Sequence, residues 1–204
     1  MDQKEQMKQN LIEEINSYYD HYVYMADVMA VHNHMQSYIN RNSQALEIAP
    51  NFFRIVYAAT IDSYMLTFAR LYDNSKQAKS IENLVSKCKK NISLFDNTKE
   101  VEKRLVDFET RMKTDEFLAP AIETIKHRRD KIFAHNDEKY FIHPESDDSH
   151  LPMYELWILS NFTGEILNYL LEALGEKPIK ETIYDNDFEN LLNNYKKSYK
   201  KYVR

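Results

Sequence analysis

The scarcity of residues that interrupt regular structure is the strongest constraint on how this chain can fold. Its 204 residues include only 2 glycines and 5 prolines, while Lys, Glu, Leu, Met, Asn and Tyr are abundant. Tight β-hairpin turns depend on glycine, and most of the abundant residues favour helices. Hydrophobic residues make up 43% of the chain, enough for one substantial core. We therefore predict an all-α protein with a single helical domain over residues 1–204.

The spacing of apolar residues and the positions of proline and glycine predict the helices. A long helix covers about 4–40, and Pro50 marks the break before a second, largely apolar helix that ends near Asp73. Ser80 is placed to cap a short third helix. Further helices are predicted at about 99–112, from 116 onward, over 152–174 and from 187 into the tail, with the clearest loop at 143–150. The sum is an up-and-down helical bundle with an extra C-terminal helix.

The number of cysteines and the hydropathy of the chain indicate the cellular compartment in which the protein acts. Cys88 is the only cysteine, which excludes an intramolecular disulfide and a cysteine-based zinc site. The first residues are polar and mixed in charge, unlike a signal peptide, and no apolar run reaches membrane-spanning length. We expect a cytoplasmic protein that does not enter a membrane.

The charge distribution gives two contrasting signals. A net charge of −5 argues against a protein that coats nucleic acid by bulk attraction. A basic cluster nevertheless includes Lys126, His127, Arg128, Arg129 and Lys131. The tail after Glu189 has no acidic side chain and alternates Lys with Tyr, a composition that can bind single-stranded RNA by charge and stacking. For the tail, the alternative is a solvated helix end whose cations the helix dipole favours.

Arg129 interrupts an apolar seam. It follows Leu118, Ile122 and Ile125 at the four-three spacing of a buried helix face, where packing alone would favour Leu or Ile. Burying a guanidinium without a partner is costly, so we predict an ion pair, a ligand or a subunit contact there. His135 lies six residues further on, and an Arg with a nearby His can hold a phosphate and move protons around it.

No metal or cofactor motif accompanies this pair. His32 and His34 are two residues apart and therefore lie on different faces of a helix, which argues against a metal site. The sequence has no H-E-x-x-H motif and no glycine-rich phosphate loop. We predict neither a metal nor a cofactor, and we interpret the fifteen Tyr and eight Met as core and interface residues.

Two segments resemble a known family. RRDKIFAHND at 128–137 resembles the R-(N/D/H)-x(3-5)-H motif of the HEPN superfamily, all-helical domains that include many metal-independent ribonucleases of toxin–antitoxin, phage-defence and RNA-decay systems. SYMLTFARLYDNSKQAKSIENLVSK at 63–87 adds a similarity to the abortive-infection, AbiU-like branch. The chain departs from the pattern twice. Asp130 stands where many members have Asn, and Asp137 replaces the Tyr of the R-x4-H-x-Y variant linked to tyrosine nucleotidylation.

The resemblance implies RNA cleavage without a metal ion. His135 would act as general base on the ribose 2′-OH or as general acid at the leaving 5′-oxygen, while Arg129 stabilises charge on the phosphate. Asp130 would orient Arg129 or a neighbouring His, and Asn136 and Asp137 would fix the tautomer of His135. In the alternative interpretation, Asn136 and Asp137 merely end the helix and Arg129 pairs with a buried acid.

The spacing between Arg129 and His135 affects how the chain could form an oligomer. In a straight helix, six residues separate Arg129 and His135 by about 9 Å along the axis and about 120° around it. Either the helix ends or distorts before His135, or a two-fold axis sets two motifs against each other. The resemblance implies the second, a homodimer with a shared cleft. The candidate cleft residues are Arg70, Asp73, Lys126, Arg128 and Lys131.

Alternatives remain for these residues and for the function. Arg70 and Asp73 can instead form an i,i+3 pair at an ordinary helix end. The partners implied by the resemblance are an RNA substrate and an antitoxin such as a small nucleotidyltransferase. The rival is a non-catalytic HEPN module that binds nucleotides, RNA or proteins, which the acidic net charge favours. A plain interaction bundle with a chance motif would leave Arg129 unexplained.

Overall fold

A computed structural model describes residues 2–41, 46–47, 49–130, 151–177 and 187–202, the last eight of these by their backbone alone. Every regular element in those ranges is helical, so the protein is all-α, as predicted. None of the described helices combines the length and the apolar character needed to cross a membrane.

The helices match the predicted ones closely. They are α1 (Gln3–Asn40), α2 (Pro50–Leu71), α3 (Ile81–Lys90), α4 (Thr98–Thr114), α5 (Leu118–Arg128), α6 (Met153–Ala173) and α7 (Asp187–Tyr202), with a short 3-10 turn at Ile92–Leu94. The motif helix begins at Leu118 instead of about residue 116, and α4 ends at Thr114 instead of about residue 112. The predicted loop at 143–150 lies outside the described residues.

Local chemistry accounts for several helix ends. The hydroxyl of Ser80 accepts a hydrogen bond from the backbone N–H of Asn83 at 3.4 Å, which confirms the predicted cap of α3. Pro152 precedes α6 in an extended conformation. Gly175 follows α6 with a φ of 82°, a left-handed conformation that glycine adopts without a steric penalty.

The chain divides into two compact units, each built from two sequence segments. The first unit is 1–22 with 66–179, and the second is 23–65 with 180–204. Helices α1 and α2 contribute residues to both units. One folding domain over 1–204 stays our prediction, with these two units inside it.

The first unit is a helical bundle in which α4 packs against α3 and α5, and α5 packs against α6. Its centre is aliphatic and aromatic, with fully buried Ile15, Leu105, Phe108, Ile125 and Leu167. The buried Tyr72 hydroxyl shares a 2.8 Å hydrogen bond with Thr163 Oγ1, which satisfies both polar groups.

The second unit has a smaller core formed by Met35, Phe53, Phe188 and Leu192. Phe188 and Leu192 belong to α7, so the first turns of the extra C-terminal helix are packed. Phe188 meets Phe53 edge-on, with 6.1 Å between the ring centroids. These contacts explain why a helix with a strongly basic second half still has an apolar face at its start.

Candidate functional site

Arg129 lies where the regular α-helix ends. Helix α5 is α-helical through Arg128, and the backbone of Arg129 and Asp130 is π-helical. A π turn changes the direction of the side chains that follow and occurs often at functional sites. A distortion before His135 was one of the two predicted ways to bring the motif residues together, and it stays a prediction because residues 131–135 lie outside the described part of the chain.

Two carboxylates bind the Arg129 guanidinium. Asp73, just beyond α2, places Oδ2 2.8 Å from Nη1. Asp130 accepts a hydrogen bond from Nε at 2.7 Å. The Arg129 side chain is only 25% exposed, and the hydrogen bond to Asp130 raises its pKa despite partial burial. Because Arg129 interrupts the apolar seam, we predicted that it has a partner. Its partners are two carboxylates, which hold the guanidinium in place through ion pairs.

Asp73 is held in turn by its own loop. Its Oδ1 accepts a 2.7 Å hydrogen bond from the backbone N–H of Ser75. That bond, helped by the Arg129 cation and opposed by partial burial, lowers the pKa of the Asp73 carboxyl. The carboxylate thus joins the turn after α2 to the motif segment, and the predicted alternative of an Arg70–Asp73 pair is replaced by this contact.

Asp73 also lines a cleft of about 640 Å³ in the first unit. The cleft lies between α1, the end of α2 and the loop before α3. Its polar lining includes Glu14, Ser17, His21, Arg70, Asp73 and Lys79. Arg70 and Asp73, both predicted as cleft residues, therefore share one cavity wall.

Lys126 of α5 lines a different pocket. Lys126 pairs with Glu123 at 3.0 Å and lines a separate pocket of about 270 Å³. Arg128 occupies the last turn of α5. The structure thus brings Arg129, Asp130 and Asp73 together and gives Lys126 a different pocket. Lys131, His135, Asn136 and Asp137 lie outside the described residues.

The family comparison extends over almost the whole chain. The AbiU2 model of HEPN domains matches residues 6–202. The chain belongs to the AbiU2 family. It is an abortive-infection-related HEPN domain. No curated protein and no solved structure gives a match.

Sequence reasoning missed two features of this AbiU2-family site. Ser75 follows Asp73 by two residues, and this D-x-S spacing at a helix end is the signal of an Asx turn. His21 belongs to a polar stripe on α1 with Asn10, Glu14 and Ser17, at helical spacing within a largely apolar sequence. Both signals were present in the sequence, but only the fold shows that they meet at one cleft.

The AbiU2-family chain shows no obvious cation site in its described part. There, no three side chains of the His, Cys, Asp or Glu type cluster closely enough to hold a metal ion. His32 instead stacks on Tyr57 with 4.3 Å between ring centroids, and its Nδ1 lies 3.0 Å from Thr60 Oγ1.

Cys88 is buried, and burial raises the pKa of its thiol to about 12, so this thiol is unreactive at neutral pH.

Proposed function

We propose that this AbiU2-family chain is a metal-independent endoribonuclease that acts in the cytoplasm as part of a phage-defence or toxin–antitoxin system. The observation that carries the proposal is the Arg129 guanidinium, which is held by two carboxylates at the start of the R-D-x4-H motif. A cation fixed in this way costs little reorganisation when it meets a phosphate.

A phosphate would be the third anion on the Arg129 guanidinium. Asp130 engages Nε and Asp73 engages Nη1, and together they hold the plane of the guanidinium. Within the described part of the chain, Nη2 of Arg129 makes no hydrogen bond. We propose that its two N–H groups donate to phosphate oxygens, where they would stabilise the charge that develops during cleavage.

His135 supplies the proton transfer in this proposal. It removes the proton from the ribose 2′-OH, and the 2′-oxygen attacks phosphorus as the bond to the 5′-oxygen breaks. The products are a 2′,3′-cyclic phosphate and a 5′-hydroxyl. A protonated His135, from the same or a second motif, donates the proton that the leaving 5′-oxygen needs. Asn136 and Asp137 are proposed to orient the ring.

We propose a homodimer as the active form, because two motifs facing one cleft can supply both an acid and a base. Light scattering at micromolar concentration should then give about twice the 24.4 kDa mass of one chain. A species that stays monomeric at every concentration and is still active would remove the two-motif cleft from the proposal. An antitoxin, such as a small nucleotidyltransferase, is the proposed inhibitory partner of this dimer.

A binding module of the same fold is the second candidate. The net charge of −5 and the two carboxylates on Arg129 favour it, because both reduce the positive potential available to RNA. Such a module would bind a nucleotide, RNA or a protein and leave it intact. The two candidates therefore differ in whether the bound RNA is cleaved.

The test is incubation of the purified chain with single-stranded RNA in excess EDTA. The ribonuclease proposal predicts cleavage that survives EDTA, with 2′,3′-cyclic phosphate ends on the products. Complete loss of activity in EDTA, or 5′-phosphate products, would overturn it. Tight binding of RNA with no cleavage, whether EDTA is present or absent, would select the binding module.

A further inference from the structure

The 640 Å³ cleft beside Asp73 has the size of a small-ligand site. It shares Asp73 with the Arg129 ion pair, so one carboxylate belongs both to the motif cluster and to the cleft wall. Along α1 the lining runs from Asn10 to His21, an axial length of about 16 Å. Such a length can accept a nucleoside together with its phosphate.

The charges that line the cleft are mostly neutralised by neighbours. Glu14 binds Lys79 at 2.7 Å and also pairs with Lys87. Partial burial works to raise the pKa of Glu14, but the hydrogen bonds from these two lysines lower it overall. Asp73 is paired with Arg129. The Glu14 and Asp73 carboxylates of the lining therefore present little free charge.

Glu13 and Arg70 also line the cleft, and in the described part of the chain neither side chain makes an ion pair or a hydrogen bond. Arg70 is the cation of the two and is exposed on the last turn of α2. His21 lines the same cleft from α1, two helical turns beyond Glu14. A guanidinium and an imidazole N–H that line one cleft are suitable donors for a phosphate, while Ser17 and Glu13 offer further hydrogen-bonding groups in the lining.

We propose that this cleft holds one nucleotide of the RNA substrate next to the scissile phosphate, with Arg70 and His21 donating to its phosphate. This inference rests on the proposed ribonuclease function. It assigns Arg70 the role of substrate contact, and it explains why an arginine that has no carboxylate partner among the described residues stands one turn before Asp73. Ser17 and Glu13 would face the ribose hydroxyls or a base edge.

The experiment measures binding separately from cleavage. A fluorescent single-stranded hexamer of 2′-O-methyl nucleotides lacks the attacking hydroxyl, so its anisotropy reports affinity alone. The variants are Arg70→Ala, Arg70→Lys and His21→Ala. The matched control is Arg54→Ala, which removes another exposed arginine of α2 outside this cleft. Circular dichroism would establish that each variant is folded. Because the Arg70 side chain is exposed, we expect its substitutions to leave the fold intact.

We expect Arg70→Ala to weaken hexamer binding about tenfold, the loss of one charge-assisted contact. Arg70→Lys should retain part of the affinity, His21→Ala should weaken binding a few-fold, and Arg54→Ala should stay within about twofold. Wild-type affinity in both Arg70→Ala and His21→Ala would overturn the inference, as would an equal loss in Arg54→Ala.

Two further outcomes separate this inference from the proposed function. If ordinary RNA is cut and Arg70→Ala leaves both the hexamer affinity and KM unchanged, the cleft assignment fails while the ribonuclease proposal stands. If the hexamer binds through Arg70 and ordinary RNA is never cut, the ribonuclease proposal fails and the cleft remains a nucleotide site. Displacement of the hexamer by adenosine 5′-monophosphate at a similar concentration would reassign the cleft to free nucleotides and overturn its RNA role.

Discussion

Asp73 Oδ2 and Arg129 Nη1 lie 2.8 Å apart, and this ion pair joins the turn after α2 to the segment that carries the motif. Both side chains are about three-quarters buried, with exposed fractions of 28% and 25%. Ser75 holds the carboxylate and Asp130 holds the guanidinium, so each partner has a second anchor. The pair is therefore a preorganised unit, in which either residue positions the other.

A double-mutant cycle on this pair should show coupling in the free energy of unfolding. We expect Asp73→Ala, Arg129→Ala and the double variant to give a coupling of about 1 kcal/mol, the upper range for partly exposed ion pairs. Urea denaturation at pH 7 measures it. The same cycle on Lys126 and Glu123, an i,i+3 pair within α5 whose carboxylate is exposed, is the control and should give a few tenths of a kcal/mol. Equal coupling in the two cycles would contradict the anchoring role.

The stability of the fold should also depend on the ionisation of the Asp73 carboxyl. Its folded-state pKa is lowered by the Ser75 N–H and by Arg129, so its stabilising effect is present above the unfolded pKa of about 3.9. The stability is lost as pH falls through the lower folded pKa. Asp73→Asn should therefore flatten the acid limb of the stability curve below about pH 4. An unchanged acid limb would show that Asp73 is not ion-paired in solution.

His32 predicts a second pH effect nearer neutrality. Burial lowers the pKa of its imidazole, opposed by a hydrogen bond to the Tyr57 backbone, so the unfolded chain takes up a proton first. Stability should fall as pH drops below the ordinary histidine value of 6.5. His32→Gln should reduce the difference between urea midpoints at pH 7.5 and 5.5.

Gly164 is retained by packing in the middle of α6. A Cβ there would lie 2.6 Å from the Tyr22 hydroxyl oxygen and 2.9 Å from its Cζ. Gly164→Ala should destabilise the fold by about 1–3 kcal/mol through overpacking, even though alanine favours a helix by about 1 kcal/mol. In a Tyr22→Phe background, which removes the closest atom, the substitution should cost less. Equal costs in the two backgrounds, measured by thermal unfolding, would be evidence against this contact.

Local signals made most of the fold predictable. The Ser80 cap, the break at Pro50 and the end of α6 at Gly175 all act through backbone groups within a few residues, so the sequence carries them directly. The division of α1 and α2 between two units was not predictable in this way. Apolar periodicity reports that a helix has a buried face and does not report which neighbours bury it.

The site was predictable only in part for the same reason. The apolar seam identified Arg129 as a residue that needs a partner, and the partner proved to be Asp73, which sequence reasoning had named as a cleft candidate on separate grounds. Nothing local distinguishes that contact from an Arg70–Asp73 pair at i,i+3. The proposed role of His21 depends on α1 lining one cleft together with the end of α2, which spacing along α1 alone does not determine.

The paired variants His135→Ala and Arg129→Ala test the central claim most directly, with RNA affinity and turnover measured on the same preparations. His135→Ala removes the proton-transfer group and leaves Arg129, so affinity should stay within a few-fold while turnover falls about 100-fold or more. Arg129→Ala removes a phosphate contact, so affinity and turnover should both fall. Full cleavage by both variants, or a wild-type chain that binds RNA and never cuts it, would contradict the ribonuclease account.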